Sequence, residues 1–187
     1  FTITVTNAGP NTATGVSVTN YGSLSGGRHG ITTDLGATLV NYGDITGRNG
    51  SGFGSDGDGT VINHGTITGA YSGLQPNGDG DGVDIDNIAH IENYGTIQGV
   101  GAGGVDKSGF ANGSEGIALG GGYVLNAKGA LISGANSAIL VDDGSGGSGQ
   151  AATTLENFGT IQGLDGFGVK FVCEFDDNVI NGGTISA

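Results

Sequence analysis

The sequence predicts an all-β chain wound as a right-handed parallel β-helix, a solenoid of about seven three-strand coils behind a short N-terminal strand segment. Three observations carry this expectation. A motif of the form apolar-x-Asn-x-Gly-x-(Ile/Leu)-x-Gly recurs along the chain. Apolar and polar residues alternate with period two on both sides of its Asn-x-Gly corner. Finally, Gly accounts for 43 of 187 residues, about three times average usage, without the triplet period of collagen.

The copies run from Val18 to Gly26, Leu39 to Gly47, Val61 to Gly69 and Ile91 to Gly99, then loosely from Val124 to Gly134. The last two run from Leu155 to Gly163 and from Val179 to Ala187. Their asparagines, Asn20, Asn41, Asn63, Asn93, Asn126, Asn157 and Asn181, are spaced 21, 22, 30, 33, 31 and 24 residues apart. A minimal coil of 21 or 22 residues with insertions is the signature of a solenoid with variable loops.

Each motif position has a physical reading. The residue two before Asn is always apolar and points inward, as does the Ile or Leu four after it, with Leu131 taking that place after an insertion in the fifth copy. The residue just before Asn is mixed, hence outward. Asn and Gly suit a corner because both tolerate φ > 0 and Asn can bond its own turn. Stacked coil on coil, the seven asparagines form a structural amide ladder. A third strand follows a small residue, as in Gly30-Ile31, Gly82-Val83, Gly116-Ile117, Ala138-Ile139 and Gly168-Val169. At about 4.8 Å per coil the rod is roughly 34 Å long, and the usual crossover rule makes it right-handed.

Residues 1–15 stand apart as an extended strand or cap, and 16–187 form the β-helix. Phe1, Thr2, Ile3, Thr4 and Val5 alternate like a strand that needs a partner, either the first coil or the open end of a neighbouring molecule. The first residue is Phe rather than Met, and Ala187 falls inside a repeat, so both ends read as cut or processed from something longer. Cys173, the single cysteine, reads as a small core residue in the alternating run Val169, Phe171, Cys173, Phe175.

With 5 Lys+Arg against 18 Asp+Glu, the net charge of −13 argues against nucleic acid and anionic lipid as partners. No apolar run reaches the roughly 20 residues of a membrane span. The acidic run from Asn77 to Asp86 places Asp79, Asp81, Asp84 and Asp86 among glycines. Oxygen ligands at alternate positions suit Ca²⁺, although neither the EF-hand pattern nor the nonapeptide Ca²⁺ repeat is met. The competing reading is a solvated acidic loop, and no other cofactor is expected. Tyr21, Tyr42, His64, Tyr94 and Phe158 each follow a ladder Asn. They read as a ring stack that stabilises, ahead of a stripe that binds sugars.

From about Val16 to Ala187 the chain resembles the passenger domains of bacterial autotransporters and related haemagglutinin-like adhesins, whose coils look like Asn63 to Gly69 here. The segment from Asn7 to Thr19 looks like the start of a β-sandwich repeat of prokaryotic surface proteins. The resemblance implies export to the bacterial surface and carries over no catalytic residue, since the shared motif is structural. We therefore expect an extracellular structural or adhesive cell-surface solenoid, not an enzyme, with insertion loops contacting host or cell-surface glycans or proteins. The first alternative is a self-assembling fibre subunit that stacks head to tail and donates Phe1–Val5 to the open end of the next. A polysaccharide-degrading enzyme using Asp84 and Asp86 comes last, because the five cations are scattered over distant coils.

Overall fold

The computed structural model describes residues 6–7, 15–105, 109, 111–142, 149–172 and 174–187. Phe1–Val5 and Cys173 lie outside the described residues.

Three parallel sheets run along a parallel β-helix; each of the first six coils gives one strand to each sheet, and the seventh gives strands to the first two. The first sheet stacks Val16–Asn20, Gly36–Asn41, Asp58–Asn63, Ala89–Asn93, Gly122–Asn126, Thr153–Asn157 and Asn178–Asn181 in chain order. The second stacks Ser23–Gly26, Asp44–Gly47, Thr66–Tyr71, Thr96–Gly99, Leu131–Gly134, Thr160–Gly163 and Thr184–Ser186. The third stacks Ile31–Thr33, Phe53–Ser55, Val83–Ile85, Ile117–Leu119, Ile139–Val141 and Val169–Phe171. Antiparallel pairs occur at the margins. Thr6–Asn7 pairs with Ser17 and Val16 on the first strand's outer edge, and Asn49–Gly50 pairs with Tyr71 and Ala70.

The core is three columns of side chains. Leu39, Val61, Ile91 and Val124 are fully buried from the first sheet, and Ile45, Ile67, Ile97, Ile132 and Ile161 from the second. Phe53, Val83, Ile117 and Ile139 close the third side. Burying each such side chain contributes about 1.5–3 kcal/mol, and none does so without its neighbours above and below. At the last coil the cover runs out: Val179 is 45% exposed where the equivalent Leu155 is 1% exposed.

The asparagines form the expected ladder. Asn20 Nδ2 donates to Asn41 Oδ1 at 2.8 Å, Asn41 to Asn63 at 2.8 Å, and Asn63 to Asn93 at 2.8 Å. Asn93 donates to Asn126 at 3.0 Å, Asn126 to Asn157 at 2.9 Å, and Asn157 to Asn181 at 2.8 Å. From Asn20 to Asn157 every one is fully buried. In the regular coils each Oδ1 also accepts the amide two residues on, as Gly65 N to Asn63 at 3.2 Å.

The corners differ from expectation in their dihedral angles. No described residue other than Gly has positive φ, and of the corner glycines only Gly129, in the fifth copy, does. The coil rise explains the others instead: a Cβ at Gly43 would collide with the Gly22 carbonyl oxygen below it, and one at Gly65 with that of Gly43. The fifth corner also departs. Ile132, not Leu131, takes the inward place, because the turn from Ala127 to Ala130 closes on an Ala130 N to Ala127 O bond of 3.0 Å with Gly129 at φ +83. The last alternating run stops at Phe171, so Phe175 is 45% exposed and not in the core.

Candidate functional site

Two insertions fold together beside the third sheet. One occupies residues 72–82 of the third coil, and the described part of the other is residues 100–105, 109 and 111–116 of the fourth. Gly78 and Gly103 exchange backbone hydrogen bonds of 2.9 and 2.8 Å, and Asn77 Oδ1 accepts the Val105 amide at 3.1 Å. Ser114 Oγ donates to Gly80 O at 2.9 Å and accepts from Gly101 N at 3.0 Å. The Tyr71 ring lies against the bare backbone of Gly78 and Gly103, where a Cβ at Gly103 would clash with it.

This paired flap forms one wall of a groove of about 610 Å³ across the outer face of the third sheet. Asp84, Ala118, Leu140 and Lys170 line it from successive strands of that sheet, and Asp79, Asp86, Glu115, Asn136 and Asp142 are among its other residues. All four sequence-singled aspartates, Asp79, Asp81, Asp84 and Asp86, meet here. Asp84 and Asp86 flank the fully buried Ile85 and are partly exposed, as the alternation predicts. Ser51 Oγ donates to Asp84 Oδ2 at 3.4 Å.

Asp81 is different: it is 4% exposed, and its Oδ1 accepts the Glu115 amide at 2.7 Å. Burial first, then the charges of Asp84, Glu115 and Asp79, push its carboxyl well above the usual range. Glu115, 6% exposed, accepts from Asn136 Nδ2 at 3.1 Å, and burial raises its carboxyl too. Among the described residues, no three His, Cys, Asp or Glu side chains converge as a metal-binding set. Asp81 spends one oxygen on a backbone amide.

Glu115 escaped the sequence reading, yet a signal was present. His29, Ser51, Asp81, Glu115 and Ser137 all stand two residues before a third-sheet strand, with Gly or Ala between. Several accept the amide of the same position one coil on: His29 Nδ1 from Ser51 N at 3.1 Å, Asp81 from Glu115, and Ser137 Oγ from Phe167 N at 3.4 Å. At His29, burial foremost and Arg28 beside it hold the imidazole below its usual range, which keeps Nδ1 available to accept.

The ring stack is present over four coils. Tyr21, Tyr42, His64 and Tyr94 lie face to face with centroids 4.9 Å apart at each step. Ala127 interrupts it before Phe158. Inner ring faces are covered by neighbouring rings, so a sugar has only edges to meet there. Glu92 accepts from Tyr94 OH at 2.7 Å and pairs with His90 Nε2 at 3.1 Å, and these two bonds hold its carboxyl below the usual range. In comparisons with family models, curated protein sequences and solved structures, the chain matched none.

Proposed function

We propose that this chain is an extracellular structural and adhesive β-solenoid of a bacterial cell surface, whose contacts are made by the paired insertion loops and the groove beside them. The observation that supports the reading is the joining of residues 72–82 and 100–105 through the Gly78–Gly103 bridge into one wall beside the third sheet. Regular coils provide reach and rigidity, and a paired loop provides a shaped surface. Its occupants by this reading are host or cell-surface glycans or proteins. The resemblance to autotransporter passengers and haemagglutinin-like adhesins agrees with such a role.

The test replaces residues 72–79 and 101–113 with short turns and compares binding to host cells and to a glycan array. Loss of binding with an unchanged β-sheet circular dichroism spectrum supports the reading. Retained binding to the same targets sinks it. Adding Ca²⁺ to the intact protein, with Asp84→Asn as control, tests whether the acidic groove takes a cation in that contact.

A second reading, the fibre subunit, draws on the last coil, where Asn178–Asn181 is exposed along its whole length. At the other end Thr6–Asn7 pairs with the protein's own first strand. Electron microscopy of the native protein with and without Phe1–Val5 separates the two. Filaments that vanish on deletion favour the fibre, and isolated rods in both samples favour the adhesin.

A further inference from the structure

Independently of the adhesive reading, the first two corners carry a chemistry of their own. Tyr21 and Tyr42 follow Asn20 and Asn41, and the 2.8 Å ladder bond fixes one corner above the other. Their rings are parallel within 2° with centroids 4.9 Å apart. They are 66% and 48% exposed, so small oxidants reach both. The next ring in the stack is His64, followed by Tyr94. Tyr21 and Tyr42 are thus the one place in the stack where two phenols are neighbours.

We propose that Tyr21 and Tyr42 form an oxidative cross-linking site, joined as a dityrosine when the protein meets a peroxidase-type one-electron oxidant. Each phenol gives up one electron and its hydroxyl proton and becomes a tyrosyl radical. A carbon–carbon bond then forms between ring carbons ortho to the two oxygens. The hydrogen displaced from each of those carbons leaves through solvent as each oxygen regains one, restoring both phenols. Two hydrogen atoms are lost overall, and one hydrogen peroxide is reduced to two waters. The ladder holds the backbones one coil rise apart, and the soft ring torsion of tyrosine lets the outer edges tilt together. Encounter of the two radicals is prepaid by the fold, which makes coupling within the chain outrun coupling between chains.

Other tyrosines lack this arrangement. Tyr94 donates its hydroxyl to Glu92 and neighbours His64, and Tyr123 stacks on His90 with centroids 5.1 Å apart. Tyr71 lies against glycine backbone. The product would staple the first coil to the second at the N-terminal end of the rod.

The experiment treats dilute full-length chain with a haem peroxidase and hydrogen peroxide, isolates the monomer and maps its peptides by mass spectrometry. The expected result is a peptide pair holding Tyr21 and Tyr42, lighter than its parts by two hydrogens, with dityrosine fluorescence. It should persist in Tyr94→Phe and disappear in Tyr21→Phe and in Tyr42→Phe, which keep the ring and the stack. It should also disappear when the wild type is oxidised in denaturant. A monomer without this link, a link surviving in Tyr42→Phe, or coupling solely between molecules overturns the proposal.

Discussion

Asn93 Nδ2 donates to Asn126 Oδ1 at 3.0 Å, although 33 residues separate them and their corners differ in length. The same Nδ2 reaches Gly95 O at 3.2 Å and Leu131 O at 3.0 Å. One amide thus joins its own turn, the next ladder residue and the next second-sheet strand. The ladder tolerates a bulge in the turn because it depends on the Asn position alone.

Asn63→Leu removes those bonds at a fully buried mid-ladder site and leaves Asn41 Nδ2 without its Asn63 acceptor. A loss of about 3 kcal/mol is expected from the ladder and turn bonds of Asn63 lost together, Asn41 Nδ2 keeping Gly43 O and Thr66 O. Asn181→Leu, at the exposed end, is expected to cost under about 1 kcal/mol. Urea unfolding of both variants checks the contrast.

Gly43→Ala forces a Cβ into the Gly22 carbonyl, while a Cβ at Gly27 meets nothing within 4 Å. The first is expected to destabilise by about 3 kcal/mol or more, through backbone that cannot yield without shifting a coil. Gly27→Ala stays within about 0.5 kcal/mol of wild type. Thermal unfolding of the pair reads the difference.

Asp81 titrates above its ordinary 3.8 in the folded chain. A raised carboxyl pKa means that folded stability is fully present below the ordinary value and lost as pH rises through the folded one. Asp81→Asn keeps an oxygen for the Glu115 amide and removes the ionisation. It is expected to raise stability by about 1 kcal/mol at pH 7 to 8 and to change little near pH 3. An Asp81→Asn protein no more stable than wild type at pH 8 would contradict the raised titration of Asp81.

Thr153 Oγ1 is buried without a hydrogen-bond partner, in a column that also holds Ala37, Gly59, Ala89 and Gly122. Thr153→Val removes the hydroxyl at nearly constant shape. It is expected to stabilise by about 1 kcal/mol, the cost of an unmet polar group being lifted. A lower urea midpoint for the variant would show that the hydroxyl has a partner.

Much of the architecture was legible because its causes repeat. Inward columns, the asparagine ladder and the third strands each recur every coil, and even Asp84 and Asp86 were placed correctly around Ile85 by alternation. Local errors arose where one coil departs from the rest. Two extra residues in the fifth turn moved the inward place from Leu131 to Ile132, and the third strand that starts at Phe53 after Gly52 was not singled out, because Gly54 and Ser55 dilute its apolar pattern. The groove was half legible. The aspartates shared one segment, but Asp81 and Glu115 lie 34 residues apart, and the only signal that joins them is their shared place two residues before a third-sheet strand. Except at Gly129, the corner glycines were read correctly for the wrong reason, since the coil rise, invisible in a single repeat, is what forbids a side chain.

The shared register makes length an independent variable of this molecule. Excising Tyr42 to Asn63 would join Asn41 to His64 and leave every inward column, and the amide ladder, meeting the equivalent residue of the next coil. Duplicating that stretch would do the same in the other direction. Growth or shrinkage by unequal recombination therefore passes through foldable products, with the distance between the ends changing in steps of one backbone spacing while the loops keep their faces.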